Sequence, residues 1–98
     1  MAYTREQIVN LALSYNGATQ GSKKHKDLVD TFNKTKPHGE IMNYTAAWCA
    51  CTVTAWLLKG GYTSSNMPMS YNCGQLIRDA QKLGVWVEND SFTPSPGD

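Results

Sequence analysis

Charge is scarce in this sequence and mixed in sign, with nine basic and eight acidic residues among 98 and a net charge of +1. Apart from Lys23, Lys24 and Lys26 the basic residues are scattered, so no stripe offers the electrostatic footprint of a nucleic-acid surface. Nucleic acid is therefore not an expected partner. A long hydrophobic run is also missing. Residues 41–58 carry no formal charge, but Asn43, Tyr44 and several threonines interrupt them, which makes the stretch too polar for a membrane span and marks it as buried core. The opening Met1-Ala2-Tyr3-Thr4-Arg5-Glu6 runs into a helix signal without an apolar stretch or a small-residue cleavage site, so no Sec signal peptide is expected. Cysteine is sparse and odd in number: Cys49, Cys51 and Cys73 form no disulfide scaffold and leave at least one thiol free. Cys-x-Cys with two distant histidines, His25 and His38, does not reproduce a zinc-site spacing, so neither a metal nor a cofactor is implied.

What is present suffices for an ordinary globular unit. Apolar residues make up 41% of the chain, and its length allows one domain or part of one. Thr4 and Gln7 form a capping-box pattern, after which Ile8, Leu11, Ala12 and Tyr15 recur at helical spacing until Asn16-Gly17 stops the helix. Ser22 can cap a second helix with Leu28, Val29 and Phe32 as its apolar stripe, ending before Lys36-Pro37. Pro37-His38-Gly39 is a turn leading to a third helix over residues 46–59, with Thr45 as N-cap and Gly60-Gly61 as stop. This third helix is apolar nearly all round, with Trp48, Val53, Trp56, Leu57 and Leu58 on different faces, and is expected to be central and enclosed. A fourth helix over 74–83 would turn Leu76, Ile77, Ala80 and Leu83 inward and close at Gly84. Val85-Trp86-Val87 reads as one short strand before an Asn89-Asp90 turn, and residues 93–98 as a loop. The order predicts an α+β domain whose sheet has barely begun.

Cys49 stands near the predicted start of the apolar helix, where unpaired amides and the helix dipole favour a thiolate. From the residues alone the default reading is nevertheless a small core hydrophobe, and spacing does not overturn it. Cys51 points to another face, which rules out a bridge to Cys49 and suits packing; Cys73 either pairs with Cys51 or stays a free thiol. Trp48 and Trp56 lie in the most apolar helix and read as core rather than as sugar-stacking platforms. His25 and His38 read as solvated surface residues, with the alternative that the turn at His38 folds back toward Cys49.

Trp48-Cys49-Ala50, the uncharged helix behind it, Gly60-Gly61-Tyr62, the Gly84-Val85-Trp86 step and the closing Pro94-Ser95-Pro96-Gly97-Asp98 together resemble the CHAP and NlpC-type cell-wall hydrolases. Tyr3-Thr4-Arg5-Glu6-Gln7-Ile8-Val9 and residues 86–90 are similar to the catalytic domains of phage endolysins in that group, so the resemblance spans nearly the whole chain. It implies a papain-like cysteine hydrolase fold, truncated after the helical half and first strand. Residues 1–98 would then be the N-terminal, nucleophile-bearing portion of one catalytic domain. It implies Cys49 as the nucleophile that attacks an amide of the peptidoglycan stem peptide and forms a thioester. Tyr44, five residues earlier, has two readings: a donor to the oxyanion, or an aromatic plug against Trp48.

In the family the histidine and its orienting partner follow the Gly-Asp turn, and this sequence reaches only Gly97-Asp98. The fragment alone is accordingly expected to be inactive, and to hide bare apolar surface by dimerising or swapping elements. The substrate implied is the bacterial cell wall, reached by release during phage lysis or as a domain excised from a longer secreted protein. The rival reading is a non-enzymatic helical module, binding walls or another protein, in which Cys49 only packs.

Overall fold

The computed structural model describes residues 2–88 and 91–95, and among them the chain forms four α-helices and one 3-10 turn. Helix α1 spans Arg5–Ser14, α2 Lys23–Thr35, α3 Cys49–Lys59 and α4 Cys73–Leu83, with the 3-10 turn at Pro37–Gly39. The first two helices begin where their caps dictate. Thr4 N–H donates to Gln7 Oε1 at 2.8 Å while Gln7 N–H donates to Thr4 Oγ1 at 3.2 Å, so both halves of the capping box close. Ser22 Oγ accepts the His25 amide and starts α2, which ends when Lys36 turns into the left-handed region ahead of Pro37.

The start of α3 differs from the expected one. Asn43 Oδ1 accepts from the Thr45 amide, the Thr45 hydroxyl and the Ala46 amide, so a side-chain-stabilised turn occupies the residues expected to open the helix. The helix instead begins at Cys49, with Trp48 as a cap residue that makes no side-chain capping bond.

The core lies between α2 and α3, the most extensively packed pair of helices. Val29 and Phe32 of α2, Met42 of the segment before α3, and Cys51 of α3 form its buried cluster, and Trp48 packs against it. Helix α1 crosses the far end of α3, where the Tyr3 amide donates to Gly60 O at 2.7 Å and the Tyr62 hydroxyl donates to Tyr3 O. Gly60 allows this approach, because a Cβ there would stand 2.7 Å from Ile8 Cδ1. The radius of gyration, 13.3 Å, is that of a packed chain of this length, for which about 13 Å is typical.

Two expectations need correction. Helix α3 is not enclosed on all sides among the described residues: Ala50, Cys51, Thr54 and Ala55 are buried, whereas Val53 is 47% exposed because neither α1 nor α2 reaches that face. Residues 85–87 are irregular and exposed, so the expected strand does not form there; the described residues make the four expected helices without a strand, which gives no support for a papain-like sheet. The physical reason is that a strand needs a neighbour to take its amide and carbonyl groups, and among the described residues no segment pairs with Val85-Trp86-Val87 as a strand. The expected turn at Asn89-Asp90 and residues 96–98 lie outside the described residues. Among the described residues no helix is long and apolar enough to cross a membrane.

Candidate active site

Cys49 is the first residue of α3, is exposed, and sits at a helix terminus that no side chain caps. Amides of the first helical turn have no partner within the helix, so this end of α3 presents donors and the positive end of the dipole to whatever lies beside the thiol. Cys51, two residues on, is fully buried in the α2–α3 cluster, and burial pushes its thiol up to about 11. One helix therefore carries an accessible thiol and an inert one.

A second accessible thiol stands next to the first. Cys73 opens α4, and its Sγ lies 4.0 Å from Cys49 Sγ. The two sulfurs are within hydrogen-bonding reach, with either able to donate, and the hydrogen bond with the Cys49 sulfur and the charge there raise the Cys73 pKa above the ordinary thiol value. The pairing of Cys73 with Cys51 considered from the sequence does not form: all three thiols are free, and Cys51 is sealed in the core.

A polar network holds α4 in place for this meeting. Thr54 of α3 donates its hydroxyl to Ser70 O at 3.0 Å and accepts the Ser70 amide at 3.1 Å, with both residues fully buried. Ser70 Oγ in turn donates to the Glu40 carboxylate at 2.9 Å and accepts the Asn72 amide at 2.9 Å. Glu40 also accepts the Tyr71 amide at 3.0 Å. Asn72 Oδ1 then caps α4 by accepting the Gln75 amide. The loop before Cys73 is thus bonded to α3 five residues beyond Cys49.

Ile41, Asn43, Ala46, Ala47, Tyr71 and Asn72 line a groove of about 310 Å³ that runs between the segments leading into the two thiols. Its volume lies at the small end of the range for ligand sites, roughly 300–1,000 Å³. Neither this groove nor a larger cleft of about 540 Å³, walled by residues such as Tyr15, Lys24, Asp27 and Lys59, is lined by an exposed thiol.

The other predicted residues are placed as follows. Tyr44 is 43% exposed and donates its hydroxyl to Asp30 Oδ1 at 2.6 Å, which raises the phenol pKa; its ring stands edge-on to His25 rather than plugging Trp48. His25 is fully buried, not solvated: its Nδ1 accepts the Gly21 amide at 2.9 Å and its ring lies 4.5 Å from the Trp48 ring. The signal for this was its position three, four and seven residues before Leu28, Val29 and Phe32, on the stripe of α2. His38 is exposed as expected, but its turn folds toward α4, where Nε2 meets Asp79 Oδ2 at 2.7 Å. Burial opposes ionisation of Asp79, yet the bonds from His38, the Gln75 amide group and the Met69 amide outweigh it and lower its pKa. Among the described residues no histidine hydrogen-bonds to Cys49, and no cluster of three or more ligating side chains could hold a metal.

Sequence reasoning missed Thr54, Ser70 and Glu40, whose partners lie 16 and 30 residues apart in the chain and leave no local pattern. No family model, curated protein or solved structure matches the chain.

Proposed function

We propose that this chain carries the nucleophile of a papain-like cysteine hydrolase of the CHAP or NlpC type, with Cys49 attacking an amide bond of the peptidoglycan stem peptide. The observation that supports it most directly is the exposed thiol at the uncapped start of α3. Attack of the thiolate on an amide carbonyl creates an oxyanion, and amides at a helix terminus are donors suited to it. A groove of about 310 Å³, walled partly by Ala46 and Ala47, lies along the segment that leads into Cys49.

Acyl transfer also needs an imidazole to carry a proton from the thiol to the leaving amine. His25 is sealed against Trp48 and His38 is held by Asp79, so the reading requires a base from outside the described residues. Tyr44 serves as an oxyanion donor in this reading only by exchanging Asp30 for the substrate.

The test is release of stem-peptide fragments from purified walls by the protein expressed from its uninterrupted gene. Cys49→Ala should abolish release with the thermal midpoint unchanged, Cys51→Ala should retain most of it, and residues 1–98 alone should release none. Equal loss in both natively folded variants would remove Cys49 from the role. The rival reading, a non-enzymatic module, is favoured by the lack of an imidazole at Cys49; it predicts no release from any form.

A further inference from the structure

Two thiols at the starts of two different helices, both open to solvent and 4.0 Å apart, are more than a nucleophile requires. A disulfide has an S–S distance of about 2.05 Å, so the pair must close by about 2 Å. That closure can be shared by rotation of two exposed side chains at the ends of helices. The approach is built by fixed structure, since the Thr54–Ser70 pair and the Asn72 amide donating to Ser70 Oγ tie the start of α4 to α3. Two helix N-termini converge on the pair, and the uncapped one at Cys49 offers free amides to the thiolate that exchange chemistry needs. Cys51, the other thiol of α3, is sealed in the core and cannot compete.

We propose that Cys49 and Cys73 form a reversible intramolecular disulfide, with Cys49 the attacking thiol, Cys73 the resolving thiol, and a low-molecular-weight aliphatic disulfide as oxidant. The Cys49 thiolate attacks one sulfur of the oxidant, forming a mixed disulfide and releasing one small thiolate. The Cys73 thiolate then attacks the Cys49 sulfur, forming the protein disulfide and expelling the second small thiolate. The two protein thiols lose two electrons, the oxidant gains them, and the two small thiolates take up the protons that Cys49 and Cys73 lose. The order of events follows from the two helix starts: no side chain caps α3 at Cys49, whereas Asn72 caps α4 ahead of Cys73 and takes one of its free amides.

The disulfide is a modification of this chain whatever its function. On the hydrolase reading given above, it would also switch the enzyme off, because the nucleophilic sulfur is consumed, and a reductant would restore it.

The experiment treats the reduced protein with oxidised glutathione, blocks remaining thiols with iodoacetamide, and maps tryptic peptides without reduction; cleavage after Lys59 separates Cys49 from Cys73. In wild type and in Cys51→Ser a peptide pair joined through Cys49 and Cys73 should form, and dithiothreitol should remove it. In Cys73→Ser the joined pair should be absent and glutathione should remain on Cys49. In denaturant the selectivity should vanish, with Cys51 joining the mixture. Absence of the pair in folded Cys51→Ser, or a wild-type link that maps to Cys51, would overturn the proposal. Stem-peptide release measured on the same reduced and oxidised samples of the protein from the uninterrupted gene keeps the two readings apart. A link without release in the reduced state sinks the hydrolase and leaves the disulfide, whereas release without a link does the reverse.

Discussion

Helices α2 and α4 carry the same kind of amphipathic pattern and meet opposite fates. The stripe of α2 is sealed against α3, with His25, Leu28, Val29 and Phe32 all buried. The stripe of α4 buries only Ala80, while Ile77 is 37% exposed and Leu76 and Leu83 are half-buried. Helix α2 is held by packed area, and α4 by hydrogen bonds at its two flanks: Glu40, Ser70 and Thr54 before it, His38 on Asp79 within it. Packing is undirected and scales with area, whereas hydrogen bonds fix position. The helix that needs exact placement for the Cys73 thiol is the one secured by directional bonds.

The largest effect should come from breaking the packed side. Phe32 is fully buried in the central cluster and stacks on Tyr71, with ring centroids 5.8 Å apart. Phe32→Ala should cost about 3–5 kcal/mol, the usual range for losing a core aromatic, measured by urea denaturation. A loss below about 1 kcal/mol would mean that the α2–α3 seam is not the core.

Ser70→Ala tests the hydrogen-bonded side. It leaves the Glu40 carboxylate and the Asn72 amide without their common partner, and should cost about 1–3 kcal/mol. It should also loosen the start of α4, so amide exchange at Gln75 and Leu76 should quicken while that of Phe32 scales only with global stability. Uniform acceleration throughout would show that α4 and the core open as one unit.

These two sides were not equally legible in the sequence. Helices α1 and α2 were readable because their caps are local: Thr4 with Gln7, and Ser22 with the amide three residues on. The start of α3 was misjudged because Asn43 competes for the amides of Thr45 and Ala46, a choice that depends on the clamp by which Asn33 holds both the amide and the carbonyl of Met42. The place of Cys49 near a helix start was readable, but its exposure was not, since from the residues alone a core cysteine was the default reading. Nor was its neighbour Cys73 readable, because their meeting depends on Thr54 and Ser70, which no periodicity links.

Acid should act on both sides through carboxylates whose pKa is lowered in the fold. Asp79 is one, through His38, Gln75 and Met69 against the opposing burial; Asp27 is another, through Tyr15 first and then Lys59. A lowered folded value stabilises the protein fully above the unfolded aspartate value, about 3.9, and that stability is lost as pH falls through the lower folded value. The thermal midpoint should therefore begin to fall as pH drops below about 4 to 5. Asp79→Asn should flatten part of that fall, and an unchanged acid limb would show that Asp79 gains nothing from its partners.

The smallest effect is expected on the open face of α4. Ile77 has about a third of its surface in water and faces no buried cluster, so Ile77→Ala removes little packed area. Substitutions away from packed or bonded features usually fall within about 0.5 kcal/mol, and this one should change the denaturation midpoint by little more than that. Val53→Ala, on the uncovered side of α3, should behave alike, since that residue is 47% exposed. Both changes should be read at two protein concentrations well apart. If either face is covered by a second copy in solution, its substitution would cost more, and the cost would grow with concentration because association stabilises by mass action. A small loss at both concentrations keeps the contrast as drawn, with α2 held by its apolar face and α4 by its polar flanks. A large, concentration-dependent loss at Ile77 would mean that α4 is packed after all, against another molecule, and that its hydrogen bonds only choose where it packs.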